Sequence, residues 1–216
     1  MIQAVCFDMD GVLVDTERLG GTLLAMAAHL PSDALSDSQW RSLCGTSMQD
    51  TCNAMERWFP GRIDREALIA AWPRVTLDYI RKNGLPVKPG ADETLRSLKA
   101  KGIGLALCTS NEPEVVQEYL KTGGWHSMFD FVVTARDIVH GKPAPDIYLK
   151  AAHRMGVTPS VCAGVEDSVH GVHAVHAAGM YSVMVPDMIP YTHQLSQQVD
   201  VVIPDLFSLE AALCLK

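Results

Sequence analysis

The sequence lacks an apolar run approaching the roughly 18 residues that a membrane-spanning helix needs. It also lacks a charged amino-terminal segment followed by a long apolar one, since Ile2–Phe7 leads directly to Asp8 and Asp10, so we expect no secretory signal. Positive charge is not in excess, because the formal net charge is −7, whereas nucleic acids and anionic membranes bind basic surfaces. These absences argue against a membrane or nucleic-acid partner and predict a cytoplasmic protein.

The six cysteines form no C-x-x-C pair. Three of them, Cys6, Cys108 and Cys162, lie inside apolar runs, which predicts buried free thiols in a reducing compartment. Hydrophobic residues make up 48% and charged residues 20% of the 216 residues, which is ordinary for a globular protein with a sizeable core. This length fits one large domain or a core with a modest insertion.

Short apolar runs alternate with helix-like stretches, which is typical of βαβ units and a parallel sheet. The runs are continuously apolar, as expected when helices cover both faces of the sheet. The predicted strands are Ala4–Phe7, Ile103–Cys108, Phe131–Thr134, Val161–Gly164, Tyr181–Val185 and Val201–Ile203. Each helix between them precedes a glycine that we expect to end it in the left-handed conformation, namely Gly102, Gly123, Gly156 and Gly179.

Residues 16–84 interrupt this alternation, because they contain helix-period sequence and no convincing strand. We interpret them as a helical cap inserted after the first strand, with a catalytic core built from residues 1–15 plus 85–216. The fold class predicted is therefore α/β, with a parallel sheet and an inserted α-helical cap. The helices predicted in the cap are Leu19–Leu30, Asp37–Leu43, Met48–Phe59 and Glu66–Ile80.

Two aspartates, Asp8 and Asp10, follow the first predicted strand in the stretch FDMDGVLVDT. Side chains two residues apart in an extended segment point the same way, so both carboxylates can face one reaction centre. Open α/β sheets bind ligands at the carboxyl ends of their strands, where Asp8 lies. Two such carboxylates ionise together only at a cost unless a cation is bound or one keeps a proton. The pair suits a nucleophile beside a metal and a partner that moves a proton; a solvated turn is the alternative.

Three more polar groups follow in order along the chain. Thr109–Asn111 ends the second predicted strand, where hydroxyls and backbone N–H groups can bind phosphate or simply cap a helix. Lys142 lies between a glycine and a proline, which suits a cation directed at an anion, although most lysines are solvated. Glu166 and Asp167 follow the fourth predicted strand and offer hard oxygen ligands for Mg²⁺, or acids for the first turn of a helix.

The four motifs in this order resemble those of the haloacid dehalogenase (HAD) superfamily, in the branch with a helical cap after the first motif. The resemblance extends over about residues 2–205 and includes the stretches Lys88–Ala91 and Leu98–Gly102. It implies a Rossmann-like core, a mobile cap that closes over the substrate, and magnesium-dependent phosphoryl chemistry.

The resemblance also implies roles for single residues. Asp8 would attack phosphorus, form an aspartyl-phosphate and lie at the metal. Asp10 would protonate the leaving oxygen and then deprotonate the attacking water, while its backbone carbonyl binds Mg²⁺. Lys142 would neutralise charge on the nucleophile and the phosphoryl group. Asp167 would be a metal ligand, with Glu166 a direct or water-mediated one.

The phosphoryl oxygens would be held by Thr109 together with the backbone of Ser110 and Asn111. Asp15 and Glu17 lie where the cap begins. We interpret these two acids as hinge or capping residues first and as substrate contacts second.

The motifs discriminate among the reactions of the superfamily. Its dehalogenases lack the second aspartate, which is present here as Asp10, and its phosphonatases need a cap lysine, whereas no lysine occurs between Met1 and Arg81. The sequence thus predicts a magnesium-dependent phosphatase that acts on a small phosphorylated metabolite, with a sugar phosphate expected. A monomer is the default assembly.

Two alternatives stay open. A β-phosphoglucomutase-like mutase shares the four motifs but binds a second phosphate with its cap, where Met48 here replaces an arginine and the position near Gly20 lacks a histidine. Arg41 or Arg57 could still bind an anion from elsewhere in the cap. The second alternative is a catalytically weak binding or regulatory protein on the same fold.

Overall fold

Six parallel strands form one sheet at the centre of the structure, a computed structural model that describes residues 1–44, 46 and 48–215. The predicted α/β architecture is confirmed, and every predicted strand is present with ends that differ by at most two residues. The sheet order is β3-β2-β1-β4-β5-β6. The strands are β1 (Ala4–Phe7), β2 (Gly104–Cys108), β3 (Phe131–Val133), β4 (Cys162–Glu166), β5 (Tyr181–Met184) and β6 (Val201–Val202).

Strand β1 lies in the middle of the sheet and brings the motifs together. Its last residue, Phe7, is in register with Leu107 of β2 on one side and with Val165 of β4 on the other. The backbone N–H of Asp8 donates to the Val165 carbonyl at 3.0 Å, which extends the ladder by one residue. Because the strands are parallel, the residues that follow β1, β2 and β4 meet at one edge of the sheet.

Alternate residues of the strands face two separate hydrophobic layers, as the pleat requires. Val5 and Phe7 pack in one layer with the helices that begin at Ala91 and Pro113. Ala4 and Cys6 pack in the other layer. The helices of the core are α5 (Ala91–Ala100), α6 (Pro113–Thr122), α7 (Asp146–Met155), α8 (Val169–Ala177) and α9 (Leu209–Ala212), numbered after four helices of the cap.

The layer beneath α7 and α8 is built from small side chains. Cys6, Cys108 and Cys162 lie there as buried free thiols, as predicted. Gly164 of β4 faces α8 so closely that a Cβ at this position would lie 2.5 Å from Cγ2 of Val175. The small residues thus let the helices approach the sheet at the edge that carries the motifs.

The expected glycine C-caps are confirmed at Gly102, Gly156 and Gly179, whose φ angles are 73°, 70° and 74°. The expectation for Gly123 was wrong, because its φ is −77°. Helix α6 continues with right-handed geometry through Gly123, and Gly124 adopts the left-handed conformation at φ 70°. The chain thus reverses one residue later than the sequence pattern indicates.

The cap segment, residues 16–84, consists of helices with their own hydrophobic cluster. Leu24, Met55 and Leu68 are fully buried in it. The last turn of the fourth cap helix instead packs on the core, since Ile80 belongs to the core cluster. The division into residues 16–84 and residues 1–15 plus 85–216 stays a prediction. The cap helices are α1 (Glu17–Ala27), α2 (Asp37–Arg41), α3 (Met48–Trp58) and α4 (Arg65–Asn83).

The indole of Trp40 fixes α2 on α1. Its Nε1 donates to the Glu17 carbonyl at 2.6 Å, and its ring lies over Gly20 and Gly21. A Cβ at Gly20 would collide with the six-membered part of the ring. The absence of a side chain at residue 20 therefore makes room for Trp40.

Within the part of the chain that the structure describes, none of the helices combines the length and the apolar character that crossing a bilayer requires.

We predict that Gly164→Ala lowers the free energy of unfolding by about 1–3 kcal/mol, because the new methyl group overlaps Val175 in a packed layer. Urea unfolding measures this change. Gly104→Ala is the matched control, since its Cβ would lie 3.5 Å from Cβ of Ala4, which is an ordinary contact; we expect a change within about 0.5 kcal/mol. Adding Val175→Ala to Gly164→Ala should recover part of the loss, and an equal effect of both glycine substitutions contradicts the packing argument.

Candidate active site

A cavity of about 650 Å³ lies between the cap and the carboxyl ends of the central strands. Its floor contains Asp8, Asp10, Thr109, Lys142 and Asp167. The structure thus brings together the motifs that the sequence singles out, although they are distant along the chain. The cap side of the cavity is largely apolar and includes Leu24, Trp40, Leu43, Met48 and Trp72.

Lys142 lies at the centre of the floor. Its Nζ is 2.5 Å from Oδ1 of Asp8 and 2.6 Å from Oε1 of Glu166, and it donates to the Cys108 carbonyl at 3.2 Å. The ring of Tyr148 lies beneath it, with 5.5 Å between Nζ and the ring centroid. These contacts hold one ammonium group against both carboxylates.

Burial affects the pKa values of both Asp8 and Lys142. Burial raises the pKa of Asp8 to about 8, and Lys142 opposes that rise while Glu166 and Asp10 add to it. Burial works against the charge of Lys142, yet the Asp8 and Glu166 carboxylates hold the pKa of its ammonium above the usual value. The lysine therefore stays charged, and it alone does not compensate the negative charge around it.

Asp10 is held by two donors beside the same cavity. The Thr16 hydroxyl donates to its Oδ1, and the Asn111 side-chain amide donates to its Oδ2 at 2.5 Å. Burial raises the pKa of Asp10, and these two hydrogen bonds oppose the rise. A carboxyl group with a raised pKa and a fixed orientation is suited to donate and accept a proton.

Thr109 and Asn111 also contact each other. The Asn111 backbone N–H donates to Oγ1 of Thr109 at 3.1 Å, and the Thr109 side chain is buried next to the cavity. Ser110 lines the cavity as well. Phosphate binding by Thr109, Ser110 and Asn111 stays a prediction, and the side chain of Asn111 has a further contact with Asp10 that the sequence did not indicate.

Three carboxylates form a group that fits a metal ion. One oxygen each from Asp8, Glu166 and Asp167 lies within 4.8 Å of the others. Oδ2 of Asp167 is buried and has no hydrogen-bond partner among the described residues. Burial and the neighbouring Glu17, Glu166 and Asp8 raise the pKa of Asp167 well above its usual value. Buried, mutually repelling hard oxygen donors are suited to Mg²⁺.

Within that group, Glu166 already has protein partners. Its Oε1 accepts from the Tyr148 hydroxyl at 2.5 Å and contacts Lys142, and its Oε2 accepts from the Ser168 hydroxyl at 3.3 Å. Helix α8 can approach this carboxylate only because residue 171 is glycine, since a Cβ there would collide with it. Asp167 is thus the more available ligand, and Glu166 is held by its neighbours.

Sequence reasoning missed Thr16 and Tyr148, and it ranked a contact with substrate only second for Glu17. Thr16 lies inside the FDMDGVLVDT motif, so its position was a usable signal. Glu17 was interpreted first as a hinge or capping residue, but it lines the cavity beside Asp167, and burial, followed by Asp10 and Asp187, raises its pKa to about 7. Tyr148 gives no sequence signal, because its contact depends on how α7 packs beneath the sheet.

The two cap arginines considered as ligands for a second anion lie outside the cavity. Arg41 and Arg57 are exposed and do not line the cavity. Met48 does line it, at the position where a mutase-like loop would carry an arginine. Gly45 and Ser47 of that loop lie outside the described residues.

Comparisons with known proteins agree with this geometry. The family model described as haloacid dehalogenase-like hydrolase matches residues 2–179. Hexitol phosphatase B of Escherichia coli (strain K12) is 30% identical over 86% of this chain and 84% of its own. The phosphorylated carbohydrates phosphatase of Thermotoga maritima is 31% identical over 83% of this chain and 82% of its own.

One solved structure shows the same fold at lower identity. CbbY from Rhodobacter sphaeroides, in complex with phosphate, has a TM-score of 0.84 and 22% identity, covering 97% of this chain and 96% of that one. The family model matches well over half of the chain, and the phosphatase relatives match most of it. The chain therefore belongs to the haloacid dehalogenase-like hydrolases.

Proposed function

We propose that this hydrolase is a magnesium-dependent phosphatase that cleaves a small phosphorylated metabolite through an aspartyl-phosphate on Asp8. Its class is that of phosphoric monoester hydrolases, since relatives at 30% and 31% identity are phosphatases. Those two relatives also support a phosphorylated carbohydrate as the substrate. The observation that carries the proposal is the buried Asp8 carboxylate, 2.5 Å from Lys142 and grouped with Asp167 at the floor of the cavity.

In the first step, an Asp8 oxygen attacks phosphorus and the bond from phosphorus to the substrate oxygen breaks. Asp10, held by Thr16 and Asn111, gives its proton to that leaving oxygen, so an alcohol departs. Lys142 stabilises the negative charge that spreads over the phosphoryl oxygens. Covalent catalysis thereby divides one difficult displacement into two easier ones.

In the second step, water attacks the aspartyl-phosphate. Asp10, now a carboxylate, accepts a proton from that water, and the bond between phosphorus and the Asp8 oxygen breaks. Inorganic phosphate leaves and both aspartates return to their starting states. The same carboxyl group thus serves as acid and then as base, which its fixed position beside Asp8 permits.

The carboxylates of Asp8 and Asp167, with Glu166 beside them and the Asp10 carbonyl, would hold the metal. When bound, Mg²⁺ supplies positive charge to the phosphoryl oxygens and to the ionised nucleophile. The residues fit it, because Asp167 has a buried oxygen without a partner and Lys142 is the lone ammonium group on the described floor.

The mutase alternative requires a site for a second phosphate. The described residues of the cavity provide no arginine, Met48 lines it, and Trp40 occupies the space beside Gly20. These features favour hydrolysis. A catalytically weak binding protein is the remaining alternative, while a cytoplasmic location and a monomeric state stay predictions.

We predict that Asp8→Asn lowers the Mg²⁺-dependent hydrolysis of p-nitrophenyl phosphate by on the order of 10⁴-fold or more, because the amide is not a nucleophile. Continuous release of p-nitrophenolate measures the rate, and circular dichroism checks the fold. Asp78→Asn is the control, since this aspartate has a 77% exposed side chain and lines neither of the two cavities between cap and core. Near-normal activity of Asp8→Asn would refute the nucleophile assignment.

A second prediction concerns metal binding, and it is measured by thermal unfolding instead of enzyme activity. At a Mg²⁺ concentration of 100 Kd, binding stabilises the folded state by about 2.7 kcal/mol, which corresponds to a rise in Tm of roughly 5–10 °C for a chain of this size. Asp167→Asn should abolish this rise while raising the Tm of the metal-free protein, because it removes one of several repelling carboxylates.

Glu112→Gln provides the matched control for the metal experiment. Glu112 lies at the edge of the cleft and outside the carboxylate group, so its variant should keep the Mg²⁺-dependent rise in Tm. A rise of equal size in Asp167→Asn and wild type contradicts the assigned metal site.

The third prediction distinguishes a phosphatase from a phosphomutase. With β-glucose 1-phosphate, we expect release of free phosphate and no formation of glucose 6-phosphate, because the described residues of the cavity include no arginine and no lysine besides Lys142. Phosphorus NMR of the reaction mixture distinguishes the two products. Accumulation of glucose 6-phosphate would establish the mutase.

A further inference from the structure

A second cavity of about 360 Å³ adjoins the main one, and we call it the side lobe. It lies between the cap and helix α6, and Trp40 and Trp72 form part of the wall of both cavities. Its other apolar side chains are those of Leu23, Met48, Ile69, Pro73, Val115 and Tyr119.

The side lobe is unsuited to an anion. None of the described residues that line it is a lysine, arginine or histidine, and the carboxylate of Glu112 is already paired with Arg136 at 2.7 Å. Thr76 is satisfied within its own helix, because its hydroxyl donates to the Trp72 carbonyl at 3.0 Å. A second phosphate would therefore find no cationic side chain among the described lining residues, whereas an uncharged apolar group would be stabilised by burial.

The side lobe is placed to receive the leaving group. Asp10, the proposed proton donor to the departing oxygen, lines both cavities together with Ser110 and Asn111. The part of the substrate attached to that oxygen thus begins at Asp10 and can extend into the lobe.

Two indole side chains line the side lobe, and that of Trp40 is held in place by its neighbours. The indole N–H of Trp40 is already bonded to the Glu17 carbonyl, and the ring is held against Gly20 and Gly21. Fixed indole rings bind flat π-systems by stacking, at little cost in conformational entropy. By contrast, the main cavity has hydroxyl groups that do not line the side lobe, namely those of Thr46 and Thr51.

We propose that the substrate is a phosphate monoester with a hydroxylated middle and a planar aromatic end, as in a nucleoside 5′-monophosphate, and that the aromatic end occupies the side lobe against Trp40 and Trp72. This proposal rests on the proposed phosphatase function and assigns its substrate class. The hydroxylated part lies in the main cavity, so the phosphorylated-carbohydrate character of the substrate is kept.

The test compares uridine 5′-monophosphate with ribose 5-phosphate, two esters that differ by the aromatic ring. Phosphate release at saturating Mg²⁺ gives kcat/KM for each. Stacking of one base contributes a factor of about 5 to 150, so wild type should prefer the nucleotide by that factor. Trp72→Leu should reduce the preference toward unity, and Trp58→Leu, a cap tryptophan outside both cavities, should leave it unchanged.

A second pair of variants guards against misfolding of Trp72→Leu. Ile69 and Met26 are apolar cap residues that are each 44% exposed, but Ile69 lines the side lobe and Met26 lines neither cavity. Ile69→Glu should lower the preference for the nucleotide, and Met26→Glu should not. Equal effects of the two glutamates would contradict the proposal.

Failure of this proposal is distinguishable from failure of the proposed function. If p-nitrophenyl phosphate is hydrolysed with dependence on Mg²⁺ and Asp8, but ribose 5-phosphate is used as well as the nucleotide, the phosphatase stands and the side-lobe assignment is overturned. If none of the three esters releases phosphate, both are overturned.

Discussion

The site depends on burying more carboxylates than one ammonium group can neutralise. Asp8, Glu166 and Asp167 have oxygens within 4.8 Å of one another, and two like charges at that separation repel by about 3 kcal/mol at an effective dielectric constant of 20. Lys142 offsets part of this repulsion through its contacts with Asp8 and Glu166. The remainder would be offset by the proposed divalent cation, and without it by proton uptake, which the raised pKa of Asp8 reflects.

The scaffold is shaped to tolerate this arrangement. A Cβ at Gly11 would collide with the Asp167 carboxylate, and a Cβ at Gly171 would collide with that of Glu166. Both positions are therefore glycine because carboxylates fill the space beside them. The parallel register of β1 with β2 and β4 then fixes the distances between groups that lie more than 100 residues apart in sequence. Packing of the sheet thus provides the free energy that holds repelling charges together.

The sequence predicted the strands, the cap helices and the four motifs, because each depends on local periodicity or on the end of a strand. It could not predict the order of strands in the sheet, and it placed the helix reversal at Gly123 instead of Gly124. The sequence also could not predict contacts that depend on how the helices pack. Tyr148 reaches Glu166 from α7, and Trp40 fills the space left by Gly20. Such pairs are fixed by tertiary geometry, which one sequence does not reveal.

The residues proposed for the chemistry lie in the core, but Asp10, the proposed acid and base, contacts the start of the cap. Thr16, the residue immediately before α1, donates to Asp10, while Glu17 in the first turn of that helix lies beside Asp167. Any displacement of α1 away from the sheet would lengthen the first contact and relieve the repulsion in the second. Because the indole of Trp40, in α2, donates to the Glu17 carbonyl, α1 also holds part of the aromatic wall in place. The position of α1 therefore affects both the wall of the cavity and the orientation of Asp10, the proposed proton-transfer group.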